Sequence, residues 1–180
     1  IENGYADLAA KSESYEICFV PDNDYRGFLK RNVDGLEERV DGGFFVDKYG
    51  KILGKHKGYP FYTIGQRKGL EIAVGEPLHV LEIVPESNTV VLGTKEDLNK
   101  QQMMVGKYNL IKYAELPTDF QTLTKIRYKD PGTMATVNQV GEKLEVLFHN
   151  AVSAVAPGQS AVFYEGDDLV GGGIIERSIK

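Results

Sequence analysis

The chain has one cysteine and no tryptophan in its 180 residues, and no apolar run approaches the ~20 residues of a membrane-spanning helix. A lone thiol, Cys18, excludes an internal disulfide, so sulfur or redox chemistry at that residue needs a partner from outside the chain. The three histidines, His56, His79 and His149, stand far apart, and with a single cysteine they form no metal-ligand spacing, so no metal is inferred. A Gly-rich loop ending in Gly-Lys-Ser/Thr is missing, which leaves no phosphate cradle of that kind. The start, Ile1-Glu2-Asn3-Gly4, has neither the basic opening nor the apolar core of a signal peptide. These absences predict a cytoplasmic protein with no membrane partner. It also lacks an initiating methionine, so the chain is expected to be a piece of something longer.

A surplus of positive charge is lacking too. The 21 Lys and Arg stand against 26 Asp and Glu, for a net charge of −5. That excludes a broadly basic surface that binds nucleic acid by phosphate attraction alone. Residues 1–35 carry four basic against seven acidic side chains, residues 36–97 eight against ten, and residues 98–180 nine against nine. The run from Lys48 to Leu70 is the exception, with Lys48, Lys51, Lys55, Lys57, Arg67 and Lys68 and no acid. Tyr49, His56, Tyr59, Phe61 and Tyr62 are interleaved with them. Cations for phosphates and flat rings for bases make Lys55, His56, Lys57, Arg67 and Lys68 a candidate RNA-facing set. A solvated hairpin face with its tyrosines packed inward has the same composition.

What is present in abundance is turn chemistry between short apolar runs. Asp22 or Asp24 caps a predicted short helix from Asp24 to Asn32, with Tyr25, Phe28 and Leu29 on one side. Gly35 and Gly42-Gly43 break that pattern, and the remainder reads as β. Phe44–Val46 and Ile52–Gly54 flank Tyr49-Gly50-Lys51 as a hairpin. Tyr59–Ile64 is a second extended stretch, and Leu78–Val84 with Thr89–Gly93 forms another hairpin across Pro85–Asn88. Lys95–Lys100 reads as a linker or one helical turn. The strands expected beyond it are 103–113, 123–128, 135–140, 143–148, 160–164 and 173–179, with 152–156 extending the strand before it or making a corner. Six short strands at this spacing predict a closed or nearly closed antiparallel barrel. The predicted fold is mainly β: a short helical N-terminal segment, a small central β domain and a C-terminal antiparallel β-barrel. The expected divisions are 1–35, 36–97 and 98–180.

Two glycine-rich runs invite chemistry and receive a plainer assignment. Gly65-Gln66-Arg67-Lys68-Gly69 reads as a tight turn with cationic side chains, at most a weak anion site. Gly171-Gly172-Gly173 has no helix after it, so a tight turn or bulge is expected in place of a dinucleotide loop. Cys18 itself leads into the breaker Pro21-Asp22-Asn23-Asp24. It is either a reactive thiol at the mouth of a turn or a small hydrophobe in a buried strand with Ile17, Phe19 and Val20.

Five blocks, in order, carry a resemblance that spans nearly the whole chain. They are Ile17-Cys18-Phe19-Val20-Pro21-Asp22-Asn23-Asp24-Tyr25, Gly54-Lys55-His56-Lys57-Gly58, Tyr62-Thr63-Ile64-Gly65-Gln66-Arg67-Lys68-Gly69-Leu70, Ile126-Arg127-Tyr128, and Ala156-Pro157-Gly158-Gln159-Ser160-Ala161-Val162-Phe163-Tyr164. The chain resembles the C-terminal half of tRNA-specific 2-thiouridylases. That resemblance implies an enzyme that replaces the C2 oxygen of the wobble uridine of certain tRNAs with sulfur. ATP adenylates the C2 oxygen, and a persulfide on a cysteine delivers the sulfur. It implies Cys18 as the persulfide carrier, Arg127, Tyr128 and Gln159 as tRNA contacts, and tRNA and a sulfur-donor protein, a cysteine desulfurase or relay protein, as partners. The family's Ser-Gly-Gly-x-Asp-Ser loop for ATP and its second catalytic cysteine are not in these residues, so the fragment alone is expected to be inactive.

The residue types suit that chemistry. A thiolate accepts the terminal sulfur of a persulfide by exchange, Arg127 bridges phosphate or stacks on a base, and Tyr128 offers a ring face and a hydroxyl. Without the resemblance, an Arg-Tyr pair at a strand end reads as cross-strand packing, and Gln159 after Pro157-Gly158 reads as a turn residue. Two other functions compete: a non-catalytic β-barrel RNA-binding module, and a thiol hydrolase using Cys18 and His56.

Overall fold

The structure, a computed structural model, describes residues 20, 22 and 24–179. It divides into two compact units, one ending at Asp41 and the other beginning at Gly42. The first holds α1 (Tyr25–Asn32) and α2 (Leu36–Val40). The Asp24 carboxylate caps α1 by accepting from the Gly27 N–H at 2.8 Å, filling one of the donors a helix start leaves open. Helix α2 was not foreseen. Leu36 and Val40, four apart and both buried, give it one apolar side, and the chain enters it through Gly35 at a φ of 64°.

The second unit begins with a four-stranded sheet made of two hairpins: β1 (Phe44–Asp47) with β2 (Ile52–Lys55), and β3 (His79–Val84) with β4 (Thr89–Gly93). The order is β2-β1-β4-β3, with β1 and β4 parallel where the hairpins meet. The Asp47 carboxylate closes the first turn, accepting from the N–H groups of Tyr49 and Lys51, each at 2.9 Å. Phe45, Val80, Val90 and Leu92 form its core.

The extended stretch expected at Tyr59–Ile64 is absent, because Tyr59–Phe61 folds as a single 3₁₀ turn. Pro60 brings a φ suited to a helical turn and no N–H for a ladder, while the Tyr62 N–H donates back to the Tyr59 carbonyl at 3.2 Å. The turn tucks Phe61 and Tyr62 into the sheet, with the Tyr62 ring edge-on to Phe45 at 5.1 Å.

A 3₁₀ turn at Glu96–Leu98 leads into the barrel, as the expected single helical turn. Its strands are β5 (Asn99–Leu110), β6 (Phe120–Lys125), β7 (Thr133–Val140), β8 (Lys143–Ser153), β9 (Ser160–Glu165) and β10 (Asp168–Ile179). They close in the order β10-β5-β8-β7-β6-β9, every neighbour antiparallel. Inward residues alternate along β6, β7, β8 and β9, while β5 buries Met103 to Gly106 in succession and β10 buries Val170 and Gly171 side by side. Met103, Val105, Val137, Leu144, Val146, Phe163 and Ile175 are at most 1% exposed, which removes water from the middle of the barrel.

Of the tight turn or bulge expected at Gly171-Gly172-Gly173, the structure has the bulge: the run lies inside β10, whose register shifts beside it, and the strand expected from 173 begins at Asp168. One strand end is corrected. Strand β6 ends at Lys125, three residues before the predicted end, because the Ile126 N–H donates to the Asp130 carboxylate instead of to a neighbouring strand. Arg127 and Tyr128 therefore sit on a loop.

Candidate nucleic-acid interface

The loop after β6 and the turn before β9 meet over an open hollow of about 460 Å³. From the loop come Arg127, Tyr128, Lys129 and Asp130, and from the end of β6 comes Lys125. From the other side come Gln159, Ser160 and Tyr164. The three residues singled out as tRNA contacts, the adjacent Arg127 and Tyr128 and the distant Gln159, thus line one concavity.

Each is held by backbone features that its sequence dictates. Arg127 and Tyr128 are exposed, Tyr128 to 67%, and the Arg127 guanidinium donates to the Ser153 carbonyl at the end of β8 at 3.4 Å. Gly158 turns the chain with a φ of 86°, and its N–H donates to the Ile175 carbonyl at 2.8 Å. The Ile175 N–H in turn donates to the Gln159 carbonyl at 2.8 Å. The backbone of Gln159 is thereby tied to β10 while its side chain lies at the rim. Lys125 rests with its ammonium 5.2 Å from the Tyr164 ring centroid. Lys125, Lys129 and Tyr164 were not among the sequence candidates. Their strand-and-loop register is what brings them to the same hollow; Tyr164 closes the fifth family block, while Lys125 and Lys129 flank Ile126-Arg127-Tyr128 and lie in no block.

The basic run fares differently. Lys57 pairs with Glu71 at 3.0 Å and Lys48 with Asp97 at 2.7 Å, acids that lie outside the run in sequence and beside it in space. The Lys48 hydrogen bond holds the Asp97 carboxyl below its ordinary range and raises the Lys48 ammonium above its own. Arg67 lines a separate hollow together with Glu71 and Glu76. Lys55 and Lys68 are exposed. The run therefore does not assemble into one uncompensated cationic face.

His56 is removed from the RNA-facing set. It is 6% exposed and packs against Phe45 and Tyr62 at 5.3 and 5.6 Å between ring centroids. Its Nδ1 accepts from the Gly58 N–H at 3.0 Å, which places the proton on Nε2, donating to the Asn88 carbonyl at 3.1 Å. Burial pushes its pKa below the ordinary value. With both nitrogens engaged by backbone, His56 has no lone pair left for a thiol, and this removes the base from the Cys18–His56 hydrolase. Cys18 lies outside the described residues. Among the described residues no three His, Cys, Asp or Glu side chains gather as a metal site, and no helix is long and apolar enough to cross a membrane.

Comparison with known proteins adds two family models and a set of relatives. Residues 27–94 match a family described as tRNA methyl transferase PRC-barrel domain, and residues 100–175 one described as aminomethyltransferase beta-barrel domain. The chain is 59% identical over 180 residues to a tRNA-specific 2-thiouridylase of Cytophaga hutchinsonii, covering 99% of this chain and 49% of the relative. It is 55% identical to one from Amoebophilus asiaticus (99% and 48%) and 50% identical to one from Salinibacter ruber (98% and 46%). The chain spans about half the length of the curated relatives it matches.

Proposed function

The chain belongs to the tRNA-specific 2-thiouridylase family, and on that premise we propose that it is the part of such an enzyme that holds tRNA and supplies one sulfur-carrying cysteine. One observation supports the tRNA role above others: Arg127, Tyr128 and Gln159 converge on a single hollow. The Arg127 guanidinium is the group for a phosphate, the Tyr128 ring for a base, and the Gln159 amide for a hydroxyl or base edge.

In this reading the whole protein thiolates C2 of the wobble uridine. A sulfur-donor protein passes the terminal sulfur of its persulfide to the Cys18 thiolate, and the donor leaves as a thiolate. The outer sulfur of the Cys18 persulfide then attacks C2, expelling the activated oxygen as AMP and leaving a disulfide between Cys18 and the base. A thiolate from outside these residues, the second cysteine of the family, attacks the Cys18 sulfur, so that the thiolated base leaves and a Cys18 disulfide is formed that an external thiol reduces. ATP supplies the activation of the C2 oxygen. The cationic turn at Gly65–Gly69 does not fit an ATP site: it is bordered by Glu71 and Glu76, whose charge opposes a triphosphate, and no helix start backs it. Adenylation is accordingly assigned to a part of the enzyme other than these residues.

The test is tRNA binding by the chain across a KCl series. Arg127→Ala should raise the dissociation constant about tenfold and flatten the salt dependence by about one phosphate contact. Gln159→Ala should weaken binding with the slope unchanged. An affinity and slope unaltered by Arg127→Ala would remove the barrel from tRNA recognition.

A further inference from the structure

A second concavity, an open cleft of about 270 Å³, lies where the four-stranded sheet meets the barrel, and it shares no lining residue with the hollow beside Arg127. Ile64, Leu81 and Val91, all half-buried, give it an aliphatic floor, and no aromatic ring lines it. Lys48, Lys100 and Arg177 stand around that floor against a single acid, Glu82. Sheet and barrel touch close by, since a Cβ on Gly65 would lie 3.1 Å from the Ala154 Cβ.

Irregularities in three strands meet at this cleft. Strand β3 shifts register between Val80 and Glu82, β5 between Lys100 and Gln102, and β10 between Ile175 and Arg177. Bulges bend a strand and re-aim its side chains, and they gather beside functional sites. Leu81, Lys100 and Arg177 are the lining residues placed in this way. Their charge is not spent: among the described residues Lys100 and Arg177 make no ion pair. Lys48 is held by Asp97, whose carboxylate also accepts from the Thr94 N–H at 2.9 Å and hydroxyl at 3.0 Å.

The aliphatic floor continues out of the cleft across the sheet. Val91 has Val46 as a register partner, and Val46 has Ile52, so the three form a row on the face opposite the core residues Phe45, Val90 and Leu92. Ile52 at the end of that row is 59% exposed. A row of aliphatic side chains that ends among cations complements a ligand both apolar and anionic. A phosphate backbone would answer the cations and leave the row wet, and a stacked base needs ring faces. The cleft is smaller than the roughly 300–1,000 Å³ of pockets that enclose small ligands. An aliphatic side chain flanked by carboxylates on a polypeptide matches both features.

We propose that the cleft and the row beside it form a docking surface for an acid-rich segment of a partner protein, with one leucine or isoleucine of that segment on Ile64, Leu81 and Val91 and its flanking carboxylates on Lys100 and Arg177. This adds a protein partner to the chain and does not depend on the tRNA role of the barrel.

The experiment follows the fluorescence anisotropy of a labelled peptide, Asp-Glu-Asp-Leu-Glu-Asp-Glu, titrated with the chain and with the full-length enzyme. Lys100→Glu and Arg177→Glu should each weaken binding about tenfold or more. Both variants should gain affinity for Lys-Lys-Lys-Leu-Lys-Lys-Lys, a reversal that loss of the fold does not produce. Replacing the leucine of the acidic peptide by serine should weaken binding about tenfold. Arg127→Ala should leave peptide binding unchanged, so the two surfaces are tested separately. No binding of the acidic peptide up to about 1 mM overturns the proposal, as does binding that both glutamate variants leave intact. A serine peptide that binds as well as the leucine peptide overturns the aliphatic seat. Three results would name another occupant and overturn the partner segment. One is a single-stranded RNA that displaces the peptide and loses affinity in Arg177→Glu. Another is a dimer of the chain that Arg177→Glu dissolves. The third is peptide binding by the chain that is missing from the full-length enzyme, which would give the surface to the rest of that enzyme.

Discussion

His56 sits within 6 Å of two aromatic ring centroids and gives both of its nitrogens to backbone groups, so a residue type that suggested chemistry is used for packing. Its neighbour in space, Gly43, shows how tight that packing is: a Cβ there would collide with the His56 ring and lie 2.7 Å from the Asn88 carbonyl oxygen. Burial lowers the His56 pKa below 6.5, and the sign of the consequence follows. Below that value the unfolded chain takes up a proton that the folded chain refuses, so stability present above pH 6.5 is lost as pH falls toward the folded pKa. Denaturant titrations at successive pH values should show a loss of up to about 1.4 kcal/mol per pH unit from this group. That component should be absent in His56→Gln. Equal acid sensitivity in the two proteins would mean the imidazole is protonated in the fold. The sequence offered no way to foresee this, because the groups that bury and bond His56 include Asn88 and Phe45, on two other segments.

At the level of strands and loops, backbone hydrogen bonding overrode the apolar pattern twice. Pro60 turned a predicted strand into a 3₁₀ turn. Asp130 ended β6 early and converted an expected strand-end pair, Arg127 and Tyr128, into exposed loop residues. Strand β10 makes the opposite point. Its twelve residues shift register at three places, and its glycines allow β5 to approach closely enough to close a six-stranded barrel. A Cβ at Gly173 would stand 2.6 Å from the Val105 side chain, 2.8 Å from the Gly106 oxygen and 2.9 Å from the Tyr108 Cα, contacts that backbone cannot yield. Gly173→Val should therefore cost about 1–3 kcal/mol or more, as overpacking does. Calorimetry should show it as a melting temperature lowered by roughly 2–4 °C per kcal/mol. An unchanged melting temperature would mean that β5 and β10 are not held this close.

For the molecule as a whole, the proposed chemistry requires Cys18 to meet a sulfur donor and an activated uridine, and neither can be supplied by the barrel. In the full-length enzyme, incubation with a cysteine desulfurase and labelled cysteine should place a reductant-labile label on Cys18. Undiminished labelling of the Cys18→Ser protein would assign the carrier elsewhere. Much was legible in the residues alone. Hairpins with turn chemistry at both ends, the cap at Asp24, the six barrel strands and the ordered family blocks all depend on near neighbours in sequence, where local hydrogen bonding and period-two alternation are written directly. What sits beside what was not legible. The basic run looked uncompensated until Glu71 and Asp97 met Lys57 and Lys48, and Arg127 and Gln159 stood 32 positions apart until barrel closure set them on one hollow with Tyr164. Electrostatics and concavity depend on distance through space, and that distance is set by how the strands pair and close.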